Sequence, residues 1–302
     1  MKKCYLLLCF PLILLGEEMN DLSGTVNYYV INRISDGSII NLPFRIADIQ
    51  WQRENDAFSI YSHLAMEYRM PSDNHFLEST SPQDFIWDLR ELYLTWQLKN
   101  GEIRIGKQIH SWGSVDGNSP VDNLNAYDYY YLFESGVDQK IGAFSTAADF
   151  YLGSWKFGFS ISPIHHTNRL PINDPQFPVD LPASPRTTQV IEVKKPLEFG
   201  GYITKSLSKG DVTLSYFNGY DRIFNLSGIN VSQTVGYEPL SELDTVFTYR
   251  KTEMLGIGGV TTLFDITLRA DIGYFSTQDL NDNIERQHPT ENQEFLADEL
   301  YL

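Results

Sequence analysis

"LYLTWQLKNGEIRIGKQI" occupies residues 92–109 and alternates apolar with polar side chains on both sides of an Asn-Gly pair. Successive side chains of a strand point to opposite faces, and Asn-Gly is the dipeptide best suited to a two-residue hairpin turn. The stretch therefore reads as an antiparallel ribbon with Leu92, Leu94, Trp96, Leu98, Ile103 and Ile105 on one face. That face meets either a second sheet, as in a soluble sandwich, or lipid.

The same alternation recurs at residues 23–33, 38–48, 58–70, 86–98, 102–112, 141–152, 155–162, 197–207, 211–220, 250–263 and 266–276. This predicts an all-β chain of about eleven strands. Most segments run to about 9–13 residues, longer than the usual soluble strand of about five or six. A tilted strand needs roughly 9–11 to cross a bilayer. "KNGE", "GS", "SKG" and "FD" form tight turns after Leu98, Leu152, Leu207 and Leu263, and long polar links cover 71–85, 113–140, 163–196 and 221–249. Strict alternation of short turns with long loops is the pattern of an outer-membrane β-barrel.

The faces agree. Trp155, Phe157, Phe159 and Ile161 oppose Lys156, Gly158 and Ser160. Ile266, Leu268, Ala270, Ile272 and Tyr274 oppose Thr267, Arg269, Asp271 and Gly273, and Phe58, Ile60, Leu64, Met66 and Tyr68 oppose Tyr61, His63, Glu67 and Arg69. Trp96, Trp112, Tyr151, Trp155, Tyr216 and Tyr274 lie near segment ends, as an interfacial aromatic girdle requires. The expected fold is an antiparallel transmembrane β-barrel, porin-like, with the apolar face toward lipid. Lys107 is the exception, sharing the side of Ile103 and Ile105. Either a bulge at Gly106 turns it inward or it snorkels.

The amino-terminal "MKKCYLLLCFPLILLGEE" combines two lysines with a short apolar run and Gly16, which reads as a secretory signal peptide over 1–16 and is too short to span. Residues 17–302 are then the barrel domain. Cys4 and Cys9 both fall inside the signal, so a disulfide framework and a thiolate metal site are excluded from the rest. The final "FLADELYL" looks like the opening of another strand, with Leu296, Leu300 and Leu302 on the lipid side and no terminal aromatic ending. The expectation is a C-terminally truncated barrel.

A net charge of -16, from 39 acidic and 23 basic residues, opposes nucleic-acid binding. The chain has no H-E-x-x-H, phosphate loop or G-x-S-x-G, and no enzyme activity, metal or other cofactor is expected. His165-His166 with Asp174 offers a weak metal pattern. His110-Ser111 lacks an identifiable acid partner, and Asp116, Asn118, Asp122 and Asp128 lack EF-hand spacing. Candidate pore-lining residues are Glu67, Arg69, Glu91, Arg104, Lys156, Arg269 and Asp271; both signs occur, so no ion preference follows. The proline-stiffened link 163–196 is the expected inward-folding loop.

Residues 106–129, "GKQIHSWGSVDGNSPVDNLNAYDY", resemble a motif of large Gram-negative outer-membrane barrels catalogued as a domain of unknown function, and more loosely of alginate-export porins. There a strand ending in Gly-Arg-Gln leads to Ser-Trp-Gly, then Asp-Gly, then an Asn-Pro-x-Asp turn. Lys107, Gln108, Trp112, Gly113, Asp116, Gly117 and Asp122 fall at matching places; Lys107 replaces the arginine, and Ala126 stands where proline would follow Asn125. The resemblance covers about 25 residues and speaks to fold and location more than to substrate. The resemblance implies an outer-membrane protein, and the barrel reading as a whole leads to the expectation of a channel or substrate-specific porin, in contact with lipid and lipopolysaccharide, that passes a small hydrophilic or amphipathic solute. A secreted or periplasmic β-sandwich of lectin-like type is the alternative.

Overall fold

Eleven long strands, each paired antiparallel with the next in the chain, form one continuous sheet in the computed structural model. The structure describes residues 19–40, 42–69, 85–115, 118–134, 136–171, 187–194, 196–233, 241–264, 266–278, 292–295 and 300–301. The main-sheet strands are β1 (Met19–Val26), β2 (Pro43–Glu54), β3 (Phe58–Arg69), β4 (Phe85–Leu98), β5 (Gly101–Gln108) and β6 (Ala143–Leu152). They continue as β7 (Trp155–Ser162), β8 (Glu198–Leu207), β9 (Gly210–Tyr220), β10 (Lys251–Leu263) and β11 (Ile266–Gln278). A short β12 (Leu300–Tyr301) adds to β11 through Phe275 and Ser276. Among the described residues the sheet is not closed into a barrel. No α-helix occurs among the described residues.

One end of the sheet carries the short turns at 55–57, 99–100, 153–154, 208–209 and after Phe264, and the other carries the long links. Nine of the eleven expected strands fall close to their predicted places. The first two do not: 23–33 and 38–48 were expected, but β1 ends at Val26 and β2 begins at Pro43. Between them Asp36 accepts from the Ser38 backbone N–H at 3.0 Å, and Gly37 takes a left-handed φ of 73°. This Asx turn interrupts an apolar alternation that otherwise reads as strand. The link 221–250 is more ordered than expected. It contains Asn225–Gln233 and Ser241–Thr248, which join Thr187–Ile191 and Asn292–Phe295 in a second, four-stranded sheet.

Burial along the main sheet is inverted relative to a water-soluble fold. On β6, Ser145 and Asp149 are buried while Phe144 and Phe150 are exposed; on β9, Thr213 and Ser215 are buried while Val212 and Leu214 are exposed. On β10, Thr252 is buried and Leu255 and Ile257 are exposed. A soluble sandwich buries its apolar faces against each other. Here the apolar face, with Trp96, Trp155, Leu268 and Tyr274, is the open one.

Lys107 keeps to this outer face. The β4–β5 register runs unbroken through Leu92↔Lys107 and Tyr93↔Gly106, so the bulge considered at Gly106 is absent. Its ammonium instead donates to the Leu89 carbonyl at 2.5 Å and lies 3.9 Å from Asp88, toward the long-link end. The bulges lie elsewhere, at Arg45/Ala47 on β2 and opposite His63/Leu64 on β4. The second inserts Arg90 as an extra residue, so that Arg90 and Glu91 both turn to the polar face.

Candidate functional site: a loop folded against the polar face

The link 109–142 runs across the polar face and contacts strands from both halves of the sheet. Near β2–β4, Arg45 and Arg90 donate to the Asp138 and Val137 carbonyls at 2.9 Å each, and the Tyr131 hydroxyl donates to Glu67 at 2.9 Å. Near β11, Asp271 accepts from the Ser114 and Val115 backbone N–H groups at 2.8 and 3.0 Å, and from Ser119 Oγ at 2.7 Å. One loop can touch β2 and β11 together only if the sheet curls around it.

Between these anchors the loop has its own core. Trp112, Val121 and Leu124 are buried with Phe217 of β9 and Met254 of β10. The Trp112 ring lies over Gly200 of β8, where a Cβ would approach it to 2.6 Å. That seat requires glycine. Trp112 thus belongs to the core of this loop and not to an aromatic girdle. Asn125 fixes the base of the loop, accepting from the His110 N–H at 2.6 Å and donating to the Gln108 and Ile141 carbonyls. Lys140 reaches both Asp122 and the His110 carbonyl.

Two further clusters tie the neighbouring link to the loop. Arg169 pairs with both oxygens of Glu67 at 2.7 Å and reaches Asp128 at 3.2 Å. Arg222 grips both oxygens of the buried Glu198, at 3.0 and 2.8 Å, and donates to the Asn123, Leu124 and His166 carbonyls. His165 adds its Nδ1 at 3.1 Å from Glu198. Burial raises the pKa of Asp128 despite Arg169. It lowers that of His166, with Arg222 adding to the effect, and pushes His110 down to about 3.

The seven candidate lining residues divide by height. Glu67, Glu91 and Asp271 hold the link: Glu91 accepts from the Ile109 N–H at 2.8 Å. Arg69 stands 5.2 Å from the Tyr130 ring centre. Arg104 and Lys156 converge on Asp149, at 3.0 and 3.6 Å, and line a cavity of about 260 Å³ on the short-turn side of the loop. Arg269 lines a neighbouring one of about 380 Å³ with Asp211 and Thr204. Arg45, Arg90, Arg169 and Arg222 are not singled out by the sequence, because an arginine such as Arg222 carries no local signal of the distant Glu198 that it meets.

The other candidates are committed to structural roles. Asp122 and Asp128 each face a cation of the chain itself, which turns their oxygens away from a shared Ca²⁺ cage. His110 meets Ser145 Oγ at 2.9 Å and not its neighbour Ser111. Asp116, Gly117 and Asp174, and the middle of link 163–196, lie outside the described residues; the loop seen folded inward is 109–142. Gln108 is fully buried, its amide donating to the Ser145 carbonyl at 3.0 Å. Of the described motif residues, Gln108, Trp112, Gly113 and Asp122 lie where this loop folds down, whereas Lys107 stays on the outer face.

An antiparallel meander with a polar face carrying an inserted loop defines the class of protein as far as geometry does. Neither protein-family models nor curated proteins return a match for this chain.

Proposed function

We propose that this chain forms the wall and plug of an outer-membrane β-barrel of a Gram-negative bacterium, a channel for passive diffusion of a small hydrophilic or amphipathic solute. The observation that carries this reading is the inverted burial: apolar side chains outside, charged and hydroxyl side chains inside. In water, exposing so many large apolar groups costs roughly 25 cal/mol per Å²; in a bilayer the same surface is satisfied by lipid. β1 and β11 run in the same direction, and a strand of β12's opposite sense lying between them completes an even-stranded antiparallel wall. The outer leaflet's lipopolysaccharide meets the long-link end.

The plug reduces the open section and leaves polar cavities on its short-turn side, lined by balanced charge. Reconstituted in a planar bilayer, the protein gives discrete conductance steps, and replacing residues 111–139 by a short Gly-Ser link raises them several-fold. Absence of conductance from both forms, together with solubility without detergent, returns the chain to the secreted or periplasmic β-sandwich class.

A further inference from the structure

The plug is not flush with the wall everywhere. At β6 and β8–β11 it is bound against the strands, but beside β1–β3, next to the anchors at Arg45 and Glu67, it leaves a cavity of about 270 Å³. That volume is just below the roughly 300–1,000 Å³ of ordinary small-molecule sites. Its upper lip is apolar, built from Tyr29, Ile31 and Ile39 of the link 27–42 and from Phe133 of the plug, all exposed. Its floor is polar, with Asn27, Gln50, Asp48 against His63, and Arg45 beside Asp138 on the inner face.

The pairs fix the chemistry. Asp48 lies 2.6 Å from His63 Nε2, and Asp138 is shared by Arg45 at 4.0 Å and Arg90 at 3.7 Å. Arg45 also lies flat on the Tyr131 ring, 3.8 Å from its centre. Glu134, the remaining lining carboxylate, is exposed to solvent at the lip. Arg45 and Arg90 also donate to the Asp138 and Val137 carbonyls, so the charged groups at the floor already hold partners within the chain, and the desolvation of a solute's formal charge would be poorly compensated. A neutral head finds amide and hydroxyl partners there, and an apolar body finds the lip.

Building on the channel reading, the geometry points to this cavity as the solute's passage beside the plug and as a binding site for a neutral amphipathic molecule, an apolar body bearing hydroxyl or amide groups. The lip meets the body first, at the long-link end, and the floor receives the head.

Single-channel current in a planar bilayer tests it with three probes that share one ring and differ in head charge: phenyl β-glucoside, benzoate and benzylammonium. Phenyl glucoside blocks, and the other two require at least about tenfold higher concentration for equal block, a difference of about 1.4 kcal/mol. Phe133→Ser, at a side chain 95% exposed and so without cost to folding, weakens the glucoside block measured relative to the variant's own open-channel current. Asp48→Asn leaves His63 without its carboxylate and shifts preference toward benzoate. Equal block by all three probes, or block indifferent to Phe133→Ser, overturns the inference while the channel stands. Failure to conduct at all overturns both.

Discussion

Leu268 and Thr267 are neighbours on β11 that point to opposite faces, and both are exposed. On the barrel reading, an arginine at Leu268 enters the lipid face close to the short turn, where the cost is below the roughly 2–4 kcal/mol of the midplane, whereas one at Thr267 enters the aqueous side. Urea titration of the protein refolded in liposomes should show the loss at 268 and little change at 267. Equal tolerance at both would remove the lipid assignment. Thr95 makes a poorer control although it also faces inward, because it is buried; Thr95→Arg overpacks and costs about 1–3 kcal/mol. His110 gives a pH signature. Burial lowers its pKa from 6.5 to about 3, so between those values the unfolded chain binds the proton more readily. Its stabilising contribution is fully present above pH 6.5 and is lost progressively as pH falls toward 3. Limited proteolysis within 109–142 should accelerate from pH 7 to pH 5, and His110→Gln should flatten that part of the response.

The plug is the element on which the site depends, and Trp112 is its largest buried apolar anchor. Trp112→Ala should cost about 3–5 kcal/mol and show as raised conductance and faster cleavage of the loop. The wall should survive, since its hydrogen bonds do not pass through Trp112. Sidedness is tested separately: an epitope tag at Ser35 should be reached from outside intact cells and one at Asn100 should not. The reverse result inverts the topology. The strands were legible because an alternation of period two survives wherever one face is apolar and the other polar, as in Trp155–Ser162. The link 27–42 misled because its isoleucines continue the rhythm through an Asx turn. The plug was not legible. Its anchors pair residues far apart in the chain, such as Arg169 with Glu67, and no local spacing encodes such pairs. Gln108, Trp112 and Asp122 were visible as a motif, but which element they fold against was not.

For the molecule as a whole the open question is the seam. Among the described residues, one edge of β1 and most of the outer edge of β11 have no strand partner. Unpaired backbone groups in hydrocarbon cost several kcal/mol each. If β12 lies between these edges, a cysteine at 301 should oxidise spontaneously to one of a series placed at 22, 24 and 26 in a chain with Cys4 and Cys9 replaced. Bridging requires Cα atoms roughly 4.4–6.8 Å apart, so absence of any cross-link across the series would show the seam open. Asp271 has a consequence in time as well as in space. The carboxylate that receives Ser114 lies 157 residues further along the chain, on the last long strand of the wall. Contacts of such separation form late, because the intervening chain must first be ordered. Until β11 is in place, Ser114, Val115 and Ser119 have no docking point on it, so a channel built this way would pass through a leaky stage in each newly made molecule. On the channel reading, the pore narrows only once that strand has arrived.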